Sequence, residues 1–409
     1  MARTAFLHPF ACPTAGDFTT IVAAQGATVV DDAGRRYVDA MGSLWYCNIG
    51  HGRSEVADAV ADQLRTLDAF HAFERFTNPP AERLCAELAA LAPMPDARVF
   101  LTSSGSEAVD SALKIARLAH ALGGEPDRRL VVSRRPSYHG VTYGGLAATG
   151  LPDNQRYFGA MLPDVVQVDH DDLEALQRLA AERGDELAAV VAEPVIGAGG
   201  VYPPAPGYLA GLRRVCDDTG ALLILDEVIC GFGRLGTWWG AEFYGVVPDL
   251  VTFAKAVTSG YQPLGGVLVG PAVRDRLEGD EQVVLRHGHT YSGHPTGCAA
   301  ALVVLDITRR EGLLERAPKI GQRLSSGLRA LRADGHVPEV RGEGAVWAVG
   351  LPGHLPAPAL RDEMLARGVI PRPIGTDTLA FCPPLVINDA DVDRCVTVLE
   401  EALTALEHR

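Results

Sequence analysis

Lysine is scarce in this 409-residue chain: of 37 basic side chains only Lys114, Lys255 and Lys319 are not arginine. No basic run exists that could neutralise a phosphate backbone. The acidic excess, 51 carboxylates and a formal net charge of −14, further argues against a nucleic-acid or membrane-surface partner. No apolar run reaches the roughly 18 residues of a spanning helix, and His8 and Pro9 interrupt the N-terminal stretch before an apolar leader forms. A cytoplasmic protein acting on small molecules is the expectation. The eight cysteines, at 12, 47, 85, 216, 230, 298, 382 and 395, contain no C-x-x-C pair, so neither a disulfide framework nor a structural zinc site is expected.

What is present reads as two to three domains at about 150 residues each. From about residue 97, short β-branched runs alternate with longer helical patterns, the mark of an α/β domain with a mostly parallel, seven-stranded sheet between helices. The strand runs are Arg98–Thr102, Leu130–Ser133, Val165–Val168, Ala188–Ala192, Leu222–Leu225, Leu250–Phe253 and Gly266–Val269; helical stretches include Glu107–Leu122 and Leu173–Arg183. Earlier, Thr28–Ala40 predicts a hairpin around Asp32–Gly34 and Glu55–Leu67 an amphipathic helix. Later, helices over about 313–333 and 357–367 mix with strands Ala345–Gly350 and Leu379–Phe381. A last helix has Asn388 as its N-cap. Residues 1–63 and 315–409 are expected to combine into a small α+β domain beside a large domain of 64–314.

Ligands of open parallel sheets bind beyond the carboxyl ends of the strands. Three successive strands close on a titratable residue there: Glu193, Asp226 and Lys255. Any one of them alone reads equally well as a surface residue at a strand exit. A lysine ending a buried strand is either a salt-bridge partner or an amine made nucleophilic by an apolar pocket. Lys114 in mid-helix and Lys319 in a polar stretch are natural solvent positions. The turn Thr102–Glu107 opens a helix; Ser104 and Glu107 fit a capping box, and Gly105 lets backbone N–H groups approach an anion. The alternative is a plain capped helix. Tyr138 and His139 follow the second strand and stand at the same rim. Two patterns are set aside. Gly231–Gly236 satisfies G-x-G-x-x-G but is not followed by the helix a dinucleotide needs. His287, His289 and His294 lack ligand spacing for a metal.

Taken together, LHPF, GSLWYCNIGHGR, SSGSEAVDSALKIAR, SYHG, AEPVIGAGG, LLILDEVICGFGRLG, TFAKAVTSGYQPLGG, HGHTYSGHP, RPIG and CPPLVI resemble, in order and spacing, the class III pyridoxal-phosphate-dependent aminotransferases. The resemblance is closest to the ω-amino acid or amine:pyruvate branch. It implies a fold-type-I enzyme using pyridoxal 5'-phosphate and passing an amino group from an amine or ω-amino acid to a 2-oxo acid, pyruvate, by a ping-pong route. Lys255 matches the lysine that forms the internal aldimine, Asp226 the acid at the pyridine nitrogen, and Val228 the residue under the ring. Ser104, Gly105 and Ser106 match the phosphate turn, Tyr138 and His139 the aromatic stretch over the ring, and Glu193 an acid near the cofactor. Thr290 matches a threonine reaching the phosphate from the partner subunit of a homodimer. Trp45 resembles an aromatic pocket wall and Arg372 the arginine that binds substrate carboxylates, with a structural pairing to Asp377 as its alternative. Decarboxylation, elimination or racemisation would use the same lysine and acid, and a non-catalytic cofactor-binding protein is the rival of another class.

Overall fold

The computed structural model describes residues 5–407; the outermost residues of the two terminal segments, 1–4 and 408–409, lie outside the described residues. Near the N-terminus, β1 (Ile21–Gln25), β2 (Thr28–Asp31) and β3 (Arg36–Asp39) form an antiparallel meander, so the expected hairpin gains a strand at its edge. The central sheet is built from β4 (Arg98–Thr102), β5 (Leu130–Arg135), β6 (Val165–Asp169), β7 (Leu187–Ala192), β8 (Leu222–Asp226), β9 (Leu250–Phe253) and β10 (Gly265–Val269). Its order is β4-β10-β9-β8-β7-β5-β6; β10 runs antiparallel to both neighbours, and the pairs from β9 to β6 are parallel. Every residue of β7 and β8 is buried, as it must be where helices cover both faces. Apolar clusters line both faces, one drawing on the helix Gly105–Leu122 through Val109, Leu113 and Ile115.

Towards the C-terminus come β11 (Glu339–Glu343), β12 (Val346–Gly350), β13 (Val369–Ile370), β14 (Arg372–Ile374) and β15 (Thr378–Phe381). β13 joins β3 in parallel, while β11-β12-β15-β14 make a separate antiparallel sheet. A single apolar cluster takes Ala27, Val38, Ile49 and Val56 from the N-terminal segment with Leu324, Val349, Phe381 and Leu399 from the C-terminal one. The final helix, Asp389–Glu407, is capped as expected: the Asn388 Oδ1 accepts from the Asp391 N–H at 2.8 Å.

A buried arginine ties these parts to the large sheet. Arg234 sits inside the Gly231–Gly236 turns, which lead only to the short helix Gly240–Tyr244. Its guanidinium donates to the carbonyls of Ala345 and Pro383 at 3.1 and 2.8 Å and to Asn48 Oδ1 at 2.6 Å. The glycine-rich pattern therefore serves packing between segments.

Candidate active site

The three strand ends converge. β7 is followed by Glu193, β8 ends on Asp226, and β9 passes through Ala254 into Lys255, whose φ of 48° is an unfavourable left-handed conformation for a residue with a side chain. A cavity of about 210 Å³ opens there, lined by Ser104, Gly105, Ser106, Tyr138, His139, Glu193, Asp226, Val228 and Lys255, together with Leu44, Gly140 and Ile229. The last three were not singled out from the sequence. Ile229 had a visible signal as the apolar residue after Val228; Leu44 and Gly140 had none beyond lying beside matched positions.

One end of the site is the start of the Gly105–Leu122 helix. Ser104 Oγ accepts from the Glu107 N–H at 3.2 Å. The Glu107 carboxylate accepts from the Ser103 N–H at 2.7 Å, so the reciprocal half of the capping box falls one residue earlier than expected. A Cβ on Gly105 would stand 3.1 Å from Val228 Cγ1, and one on Gly140, at φ 117°, would meet the Ser106 Cα at 2.8 Å. Both glycines keep the cradle open and closely packed. Ser106 Oγ accepts from the Val141 N–H at 3.1 Å, which fastens the 138–141 loop to the turn.

The buried acids are oriented by donors. Asp226 Oδ2 lies 2.8 Å from His139 Nδ1, and Asp226 Oδ1 accepts from the Val228 N–H at 3.1 Å. Glu193 accepts from the N–H groups of Tyr138 and Gly197 at 3.0 and 2.8 Å. Burial raises the Glu193 pKa above its ordinary value, with Asp226 adding to the rise and His139 opposing it. Burial lowers the Lys255 pKa; Arg372 pushes the same way and Asp226 resists. A lysine whose amine is pushed in this direction gives up its proton more readily than one in water.

Trp45 and Arg372 stand beside the cavity, not on its wall. The Arg372 guanidinium carbon lies 5.2 Å from the Trp45 ring centroid, and burial lowers its pKa. Arg372 makes no ion pair among the described residues; Asp377 accepts instead from the Thr378 hydroxyl, so the pairing of Arg372 with Asp377 is not formed. Thr290 is exposed and does not line the cavity of its own chain.

The donor set fits pyridoxal 5'-phosphate. The helix N-terminus offers free N–H groups to a phosphate, Asp226 offers a carboxylate to a pyridine nitrogen, Lys255 an amine to an aldehyde, and Val228 and Tyr138 an apolar and an aromatic surface to the ring. Fold and site thus define a fold-type-I pyridoxal-phosphate enzyme. The family described as aminotransferase class-III matches residues 13–403, and the chain belongs to it. It is 35% identical to the beta-alanine–pyruvate aminotransferase of Pseudomonas aeruginosa, over 94% of this chain and 92% of that one. It is 34% identical to the putrescine–pyruvate aminotransferase of the same organism, over 94% and 90%. A solved amine transaminase from an uncultivated Pseudomonas species, in its PLP-bound internal aldimine form, shares 36% identity and a TM-score of 0.94 over 99% of both chains. The protein is a pyridoxal-phosphate-dependent aminotransferase that moves an amino group from an amine donor to an oxo acid, which settles the reaction type that Lys255 and Asp226 alone left open.

Proposed function

We propose that the donor is a terminal amine or ω-amino acid and the acceptor pyruvate, exchanged in turn at one site. The observation that carries this is Arg372: a buried-side guanidinium resting on Trp45 with no carboxylate partner. A planar fork of this kind holds a substrate carboxylate in a bidentate way, and its long stem swings aside when the substrate has none. The named substrates of the two Pseudomonas aeruginosa relatives, an ω-amino acid and a diamine with pyruvate, support the same choice.

In this reading the Gly105–Leu122 helix start, with Ser104 and Ser106, holds the phosphate. Val228 and Tyr138 confine the ring. Pyridoxal phosphate, when bound, supplies an electron sink for the charge left when a substrate C–H proton is removed. Asp226, fixed by His139 and the Val228 N–H, would favour a proton on the ring nitrogen. Lys255 Nζ would hold the cofactor in the resting enzyme and, as a free amine beside the substrate, would take and return the proton. Glu193 holds Tyr138 in place through its backbone N–H. Thr290 serves the phosphate of the other subunit in a homodimer, which accounts for a matched residue that is exposed on its own chain. Residues 1–63 and 315–409 act as the small domain that carries Trp45 and Arg372 to the rim of the large one, 64–314; the shared apolar cluster and the pairing of β3 with β13 support that division. Eight cysteines without a disulfide support a cytoplasmic setting. The test is a panel of half-reactions followed by the appearance of aminated cofactor. Diamines and ω-amino acids are expected to react fastest, with pyruvate restoring the starting form. Reaction confined to α-amino acids would overturn the proposed donor.

A further inference from the structure

Building on the cross-subunit reading of Thr290, we propose that Ser111, with His287 and Lys114, is a positioning device: it fixes the loop that delivers Thr290 to the partner's phosphate site. The loop needs such a device. Residues 283–289 form no helix or strand, so no backbone ladder holds them, and Thr290 itself is exposed. Side chains do the holding instead. Lys114 Nζ lies 2.9 Å from His287 Nδ1, and because an ammonium only donates, Nδ1 accepts and the ring carries its proton on Nε2. That Nε2 lies 2.8 Å from Ser111 Oγ, which accepts from it. The Ser111 hydrogen is then left to donate to His289 Nε2 at 3.3 Å. His289 Nδ1, carrying the remaining proton, faces Glu107 Oε1 at 3.9 Å. From Lys114 through His287 and Ser111 to His289 each donor meets an acceptor, and the direction is fixed by the lysine at its start.

The series has two ends with meaning. His289 immediately precedes Thr290, and its own N–H donates to Ser292 Oγ at 3.2 Å. Ser111, Lys114 and Glu107 all lie on the Gly105–Leu122 helix, whose first turn is the phosphate cradle of the same chain. His287 is also stacked on Phe100 of β4, with centroids 5.2 Å apart and planes at 12°. The helix that binds one phosphate at its N-terminus therefore orients, from its side, the residue sent to the other phosphate. Ser111 is fully buried, so replacing it with alanine removes the hydroxyl that joins the two imidazoles.

The experiment measures cofactor release from purified holoenzyme by absorbance, in homodimers and in doubly tagged heterodimers. Ser111→Ala homodimers are expected to release cofactor about tenfold faster, the scale of one weakened phosphate contact. In heterodimers of a Ser111→Ala chain with a Lys255→Ala chain, the site that retains Lys255 is served by an intact partner loop, so its release should return to the parent rate. His287→Phe, which keeps the stack on Phe100 but not the hydrogen bonds, should behave alike. Parent-like release from the Ser111→Ala and His287→Phe homodimers, or faster release that persists in both heterodimers, would overturn the positioning role. The same pairing with Thr290→Ala separates the two ideas: if it is not rescued, or if no heterodimer forms, the cross-subunit reading itself fails.

Discussion

Two concavities of this molecule handle charge in opposite ways. The groove between the helix Leu313–Ala333 and the final helix is large, about 670 Å³, and its arginines are each matched: Arg316 lies 2.6 Å from Asp389 and Arg323 2.5 Å from Asp393, at the surface. The rim cavity is smaller, about 210 Å³, yet Lys255 on its wall and Arg372 beside it have no ion-pair partner among the described residues, while its acids are held by N–H groups and an imidazole. Size does not mark the chemistry. Charge kept free of a partner, in a place where burial makes that costly, does.

That contrast is sharpened most by removing the rim's best-held anion. Asp226→Asn is expected to retain cofactor, because the helix turn binds the phosphate independently, and to lose roughly 10²- to 10³-fold in turnover. Steady-state rates beside cofactor content check it; near-parent turnover would break the account of Asp226. Next comes the free cation. Arg372→Ala should weaken the oxo-acid half-reaction by about 2 to 4 kcal/mol, the scale of a lost buried charge pair, and change the half-reaction of an uncharged amine much less. Equal losses in both would mark Arg372 as structural.

A third effect separates buried from exposed carboxylates through pH. Glu227, beside Asp226, is fully buried and accepts from the Gly240 and Ala241 N–H groups at 2.8 and 2.6 Å; burial pushes its pKa up to about 8. The folded protein therefore keeps this proton while the unfolded chain gives it up near the ordinary glutamate value. Its stabilising contribution is present below that ordinary value and is lost as pH rises through about 8. Denaturant unfolding from pH 5 to 8 should show a shallower fall with rising pH in Glu227→Gln than in the parent; identical slopes would count against it. The smallest effect belongs to the groove. Arg323→Ala, which breaks only exposed pairs, should leave kcat/KM within about twofold of the parent.

The sequence was informative where chemistry rides on local pattern. Glu193, Asp226 and Lys255 could be placed because each closes a short hydrophobic run, and Ser104 and Asn388 because capping is written within three or four residues. Contacts made across the fold were not legible. The His139 to Asp226 contact joins residues from two different strand ends, and no local rule pairs them. Arg234 lay inside a pattern read only for what it failed to bind, and its partners Asn48, Ala345 and Pro383 are distant in the chain. Strands β1, β11, β13 and β14 escaped for a related reason. Val369–Ile370 is two residues long and is a strand only because β3 lies beside it, and Ile21–Gln25 is an exposed edge with no alternation to read.

The central claim is that Lys255, alone among three lysines, is held where its amine does chemistry. Lys114 is spent on His287, and Lys319 lies exposed in the helix Leu313–Ala333. Borohydride reduction of the holoenzyme followed by peptide mapping tests this directly. The account predicts the pyridoxyl group on the peptide containing Lys255 and on no other; finding it on Lys114 or Lys319 would contradict it.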